Sequence, residues 1–399
     1  MPSRRRLLAT LAAAAGAGGL AGCAGRGGSG FSPGRESDTE WPLPGRGPRA
    51  RNYAREAVAP RTPPGERWRA STPQSVGRPV VAADTAFVPA KDAVYALRLR
   101  DGEERWRGSI APYGVAVADG VAYATGRGEG VVTAREVDSG EERWRVETPG
   151  DFATAPLPAP TGDAVIVGDT EGRVAALEPR TGETRWSFEA FTGVYSLAAR
   201  DDRVYVGTTG GEAYELHVVE ADDDADGDDD VRSVPLWRRK LPGTVRALSA
   251  SRQSVFAATF GGGVFRLATG PAAGRTEWRA PDAPTVSGAL VRAGGLVVAA
   301  GSDGVAALRA GDGDGRWRVP GDPTAAASPA VAAGDTLYAG IGGSIRAYAL
   351  GGGIGVGPYR ADAERWRRDV PARGIAVADG ALVVVADDLD GDPGVVVLE

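Results

Sequence analysis

The chain has 399 residues, of which 42% are hydrophobic and 25% charged, with 59 glycines, 28 prolines and a formal charge of −6. That charge, with no Lys/Arg-rich run outside the extreme N-terminus, excludes a surface built for nucleic-acid phosphates. A single Cys and a single His exclude an intramolecular disulfide and a multi-histidine metal site, and the density of chain breakers argues for many short strands rather than long helices.

Residues 1–23 read as an export leader. Ser3-Arg4-Arg5-Arg6-Leu7-Leu8 resembles the twin-arginine pattern, and an Ala/Gly-rich apolar stretch follows from Leu7 to Leu20. That stretch is shorter than the ~20 residues a membrane-spanning helix needs. It ends in Leu20-Ala21-Gly22-Cys23, which resembles the lipobox of prokaryotic lipoproteins, so Cys23 is the expected lipid-attachment site. Two acyl chains on one thioether suffice for stable anchoring. Removing residues 1–22, with Arg4, Arg5 and Arg6 and no acid, takes the charge to about −9. Residues 23–40 are Gly/Ser-rich and read as a flexible tether. The domain reading is therefore a signal peptide over 1–22, a tether over 23–40 and a folded part over 41–399.

Beyond residue 60 the chain repeats. Eight of the nine tryptophans recur at Trp68, Trp106, Trp144, Trp186, Trp237, Trp278, Trp317 and Trp366, at intervals of 38 to 51 residues. The sharpest copy runs Ala176-Leu177-Glu178-Pro179-Arg180-Thr181-Gly182-Glu183-Thr184-Arg185-Trp186. Gly102, Gly140, Gly274 and Gly313 also stand four residues before a Trp, whereas the copies ending at Trp237 and Trp366 lack a Gly at that offset. Two β-branched apolar runs precede each Gly, as in 164–168 and 173–177, and a further run precedes each pair. With the Trp strand this makes four strands per unit, which is one propeller blade.

Two long intervals carry insertions, the acidic run Asp222–Asp230 and the glycine-rich run Gly351–Pro358, both expected in loops within blades. The chain stops at Val395-Val396-Val397-Leu398-Glu399, where the next Trp strand should begin, and residues 65–71 around Trp68 supply that strand from the other end. This predicts an eight-bladed all-β propeller of four-stranded antiparallel blades, its ring closed by an N-terminal strand.

The motif Ala-x-acid-x-x-Thr-Gly-x-x-x-Trp resembles the tryptophan-docking repeat of the pyrroloquinoline-quinone (PQQ) propeller superfamily. Trp41-Pro42, Gly45-Arg46-Gly47-Pro48 and Arg51-Asn52-Tyr53 resemble its lead-in segment. The resemblance covers about 41–399 and implies that the repeated indoles pack between neighbouring blades. It also offers two functional branches. Quinone-dependent alcohol or sugar dehydrogenases hold PQQ at the centre with an adjacent Cys pair, a stacking Trp, and Glu, Asn and Asp around calcium. The other branch holds non-catalytic lipoproteins, including the outer-membrane assembly lipoprotein family of BamB. With no Cys pair and no Trp beyond the docking set except Trp41, the chain fits the second branch. The expectation is a lipid-anchored, non-catalytic scaffold for envelope proteins or extracellular polymers, without PQQ and without nucleic acid. A PQQ-dependent dehydrogenase and a sugar-binding module are the alternatives.

Few residues suggest chemistry. His217 lies on an apparent strand with no partner that would make it a base. Asp222, Asp224, Asp226 and Gly227 spell the opening of a calcium loop, but its twelfth position is Ser233 rather than Glu, and an acidic run is ordinarily a solvated loop. Asp388, Asp390 and Asp392 make a weaker second calcium case. Gly261-Gly262-Gly263 reads as a tight turn between strands.

Overall fold

The computed structural model describes residues 39–399 apart from 129, 149, 153, 221–230, 357, 358, 362 and 379. These residues form eight blade sheets in chain order and one separate two-stranded hairpin. Blade 1 spans 80–109, blade 2 112–147, blade 3 157–189, blade 4 194–240, blade 5 245–280, blade 6 290–320 and blade 7 331–368. Blade 8 combines 372–398 with Glu66–Ser71. Each is an antiparallel meander, and the first strands of successive blades touch one another, which places them innermost.

Burial explains the composition of each strand. The middle strands lie between two neighbouring blades, so both of their faces are covered. Val121–Gly126, Ser254–Thr259 and Thr336–Ile341 are buried at every position, which requires continuous runs of Val, Ala, Tyr and Thr rather than alternation. The outermost strands alternate instead. In Glu104–Ser109 the charged residues face solvent and Trp106 faces the next blade.

The ring closes as the chain ends predict. Glu66–Ser71 pairs antiparallel with Asp392–Leu398, with Trp68 opposite Val397 and Arg69 opposite Val396. Gly65 and Glu399 exchange backbone hydrogen bonds of 2.8 and 3.1 Å. A closed ring leaves no inner sheet edge to recruit another chain.

The lead-in segment crosses one end of the central channel. Trp41, fully buried, pairs with Val81 of blade 1. The carbonyls of Pro42, Pro48, Arg49, Arg51 and Asn52 then accept from Val117, Ala199, Ala250, Arg292 and Ala332 on the innermost strands of blades 2, 4, 5, 6 and 7. Tyr53–Ala54 adds a parallel strand to blade 7. Donors at the rim of the channel, which have no neighbouring strand, are thereby satisfied.

One sequence reading needs correction. The repeat glycine is not lost before Trp366: Gly352 occupies its place, with the Trp317 indole against it. The hairpin Ile354–Val356 with Tyr359–Ala361 enters between this glycine and Trp366 and stretches the interval. Among the described residues no helix is long and apolar enough to cross a membrane.

Candidate functional site

The eight repeated tryptophans lie on the outermost strands, facing the following blade. Trp68, Trp106, Trp144, Trp278 and Trp317 donate through Nε1 to the carbonyls of Leu99, Val137, Pro179, Ala310 and Leu350 in the next blade, at 2.7–3.1 Å. Trp366 donates to Pro60, just before the closing strand, at 3.0 Å. Each indole thus fills the gap between blades while its polar edge stays paired. Two copies differ. Trp237 donates to Glu215 Oε2 of its own blade at 2.6 Å. Trp186 has no carbonyl partner among the described residues. It lines a groove of about 400 Å³ with Asp163, Asp202 and His217, and His217 Nε2 lies 2.7 Å from Asp202 Oδ2.

None of these residues reaches the centre of the ring, where a funnel of about 480 Å³ is lined by residues of six blades and of the connections entering blades 1 and 6, with the lead-in segment as its floor. The innermost strands approach each other so closely that the walls are small. A Cβ on Gly114 would lie 2.5 Å from that of Ala155, and one on Gly374 would lie 3.0 Å from the Arg78 backbone.

Large side chains enter this narrow space through a shared device. The innermost strands of blades 2, 4, 5 and 8 each skip one residue in their pairing with the second strand, between Pro112 and Gly114, Val194 and Ser196, Val245 and Ala247, and Ala372 and Gly374. The skipped residues are Tyr113, Tyr195, Arg246 and Arg373, and all four line the funnel. A β-bulge leaves the extra residue unpaired and re-aims it while the pairs on either side are kept.

Arg78 and Arg127 complete the set. Arg78 Nη1 donates to Asn52 Oδ1 at 2.9 Å, and the Asn52 amide is itself held by Leu290 O at 3.0 Å. Burial lowers the Arg78 pKa to about 10, still charged at neutral pH. Arg127 lies over Tyr113, its Cζ 5.5 Å from the ring centroid. Burial also raises the Tyr113 pKa, reinforced by Tyr195 and opposed by Arg127 and Arg78. Arg246 Cζ sits 4.5 Å from the centroid of the exposed Phe260 ring, and its buried Nε has no hydrogen-bond partner. Four arginines face one acid, Asp387, which is paired with Arg373.

Sequence reasoning missed this cluster. The signal available was a Tyr or Arg followed by Gly, Ala or Ser at the start of an innermost strand, as in Tyr113-Gly114, Tyr195-Ser196, Arg246-Ala247 and Arg373-Gly374. The residues that the sequence did single out lie elsewhere. Asp390 is paired with Arg69, and Asp388 accepts from Gly391 N at 2.7 Å as a turn cap. Gly261 and Gly262 form the turn between Ser254–Thr259 and Gly263–Ala268. Cys23, Asp222, Asp224 and Asp226 lie outside the described residues, and among those described no group of three His, Cys, Asp or Glu could hold a metal.

The sequence matches the family of the outer membrane protein assembly factor BamB over residues 94–223 and 218–356, more than half the chain. The chain belongs to the BamB family. Among solved structures, BamB from Moraxella catarrhalis superposes with a TM-score of 0.65 at 19% identity, covering 84% of this chain and 97% of that one. A quinohemoprotein alcohol dehydrogenase, ADHIIG from Pseudomonas putida HK5, gives 0.68 at 13%, covering 91% and 80%. The computationally designed Ika8 protein gives 0.62 at 14%, covering 83% and 98%. At these identities the likeness is one of fold. No curated protein sequence matches.

The dehydrogenase neighbour raises the question of a quinone, and the funnel of this BamB-family chain does not fit one. The resemblance implies a Cys pair, a stacking Trp and a Glu/Asn/Asp cage for calcium. The described lining holds no Cys, no Trp and no Glu; Asn52 is bonded to Arg78, and Asp387 to Arg373.

Proposed function

We propose that this BamB-family propeller is an extracytoplasmic binding scaffold for proteins of the cell envelope, non-catalytic, and held to the membrane by a lipid on Cys23. The observation that carries the reading is the pairing of the family match with a central funnel whose polar groups are cationic and aromatic rather than metal-ligating. The acidic net charge repels nucleic acid. Tyr113 and Tyr195 favour a second reading, a sugar-binding funnel, since aromatic faces stack on sugar rings; against it, the Arg127 guanidinium already lies over the Tyr113 face.

Crosslinking in intact cells, followed by mass spectrometry of the membrane fraction, tests the proposal. Wild type should yield a reproducible envelope protein, and Cys23→Ser should move the chain out of the membrane fraction. Repeated recovery of no partner, together with PQQ- and calcium-dependent dye reduction by the purified protein, would replace the scaffold with an enzyme.

A further inference from the structure

The arginines of the funnel differ from those on the blade exteriors. Arg69, Arg98, Arg107, Arg143 and Arg309 on the outside are each held by a carboxylate of the same chain. Arg78, Arg127 and Arg246 have no acidic partner among the described residues. Arg78 has only the Asn52 amide oxygen, Arg127 only a ring face, and Arg246 a ring face with a buried, unsatisfied Nε. Three guanidiniums drawn into one enclosed space repel each other and give up hydration, a cost that a bound anion removes. Arginine is the side chain best suited to that task, since its planar fork takes a carboxylate through two parallel hydrogen bonds. The Tyr113 and Tyr195 hydroxyls add neutral donors beside them.

The rim adds a second kind of contact. Phe260, 56% exposed, tops the hairpin of blade 5 directly above Arg246. Phe191, 73% exposed, lies in the blade 3–4 connection on the same end of the ring, with Arg238 Cζ 4.4 Å from its centroid. Exposed aromatic rings flanked by cations complement a ligand that carries apolar side chains as well as acids. A polypeptide offers both; a polyuronate offers the acids alone.

We infer that the funnel binds an acidic segment of a partner polypeptide, its carboxylates on Arg78, Arg127 and Arg246 and its apolar side chains against Phe260 and Phe191. This deepens the scaffold reading and rests on it. Binding is electrostatically steered and weakens with salt.

The test uses the full-length protein purified in detergent and three fluorescein-labelled probes of matched charge. These are a ten-residue polyglutamate, an acidic ten-mer with two phenylalanines, and an oligogalacturonate. The phenylalanine-containing acid should bind tightest, with affinity falling as salt rises. Arg127→Gln/Arg246→Gln should weaken it by at least about tenfold, while the exterior pair Arg105→Gln/Arg316→Gln leaves it unchanged. Arg78→Gln tests the floor separately, and thermal unfolding of each variant reports whether it folds. Equal affinity in the funnel and exterior variants overturns the inference. So does tighter binding of oligogalacturonate than of either peptide, which makes the funnel a sugar site. If no peptide binds while crosslinking in cells still recovers a partner, the funnel assignment fails and the scaffold stands; peptide binding without any partner in cells is the reverse result.

Discussion

Gly140 has no room for a methyl group. Its φ is +73°, a region that costs other residues energy, and an added Cβ would lie 2.6 Å from Cγ of the rigid Trp106 ring. The same contact recurs at Gly102, Gly182, Gly313 and Gly352, each against the indole of the preceding blade. An indole burying ~200 Å² at ~25 cal/mol per Å² contributes about 5 kcal/mol as an upper bound, so this contact matters at every interface that has it. Gly120 separates the two causes, because it has φ +74° and open space around its missing Cβ. Gly120→Ala should cost about 1 kcal/mol and Gly140→Ala about 2–3 kcal/mol in denaturant unfolding; equal costs would mean that the ring is not felt. The sequence showed that this Gly recurs four residues before a Trp, but not that it packs on the indole of the preceding blade. Nor did it show the two departures. Trp237 turns its N–H to Glu215, and Gly352 stands apart from Trp366 across an inserted hairpin.

At the scale of the strand, the eight blades were readable from their apolar runs, and the bulges were not. A skipped residue shifts the side-chain alternation by one, but strands buried on both faces carry little alternation to shift, so Tyr113, Tyr195, Arg246 and Arg373 look like ordinary strand positions until pairing partners are known. Blade 4 shows how such a strand end is held. Glu212, 8% exposed, opens its third strand and accepts from Thr208 of the second strand, from Thr192 in the incoming connection at 3.1 Å, and from Lys240 at the end of the outer strand at 3.0 Å. Burial alone would raise the Glu212 pKa, but the bonds from Thr208, Lys240 and Thr192 outweigh it and bring the value from 4.5 down to about 2. A depressed carboxylate pKa stabilises the fold above the unfolded value, and that stability is lost as pH falls through the folded one. Glu212→Gln should therefore be less stable than wild type by roughly 2–3 kcal/mol at pH 7, and the gap should close between pH 4.5 and about 2. A gap that stays constant across that range would show that the carboxylate charge contributes nothing.

At the scale of the molecule, the final strand, the strand Glu66–Ser71 and the lead-in segment are all committed to the ring. The final strand takes Glu66–Ser71 as its outer partner, and residues 41–54 bridge the inner strands at the far end of the channel. The closure could be foreseen, because the last repeat stops one strand short and the missing strand stands at the other end. The funnel could not, since it assembles residues from around the whole ring that no local pattern links. The acidic chain thus encloses a cationic centre open on the face where Phe191 and Phe260 stand exposed. The account's central claim is that this face is the working surface of a BamB-family scaffold. Site-specific photocrosslinking in intact cells tests it most directly, with the reactive side chain placed at Phe260 on the funnel rim or at Arg105 on an outer strand. The account predicts that an envelope protein is captured from position 260 and not from position 105. Capture from position 105 alone, or equally from both, would contradict it.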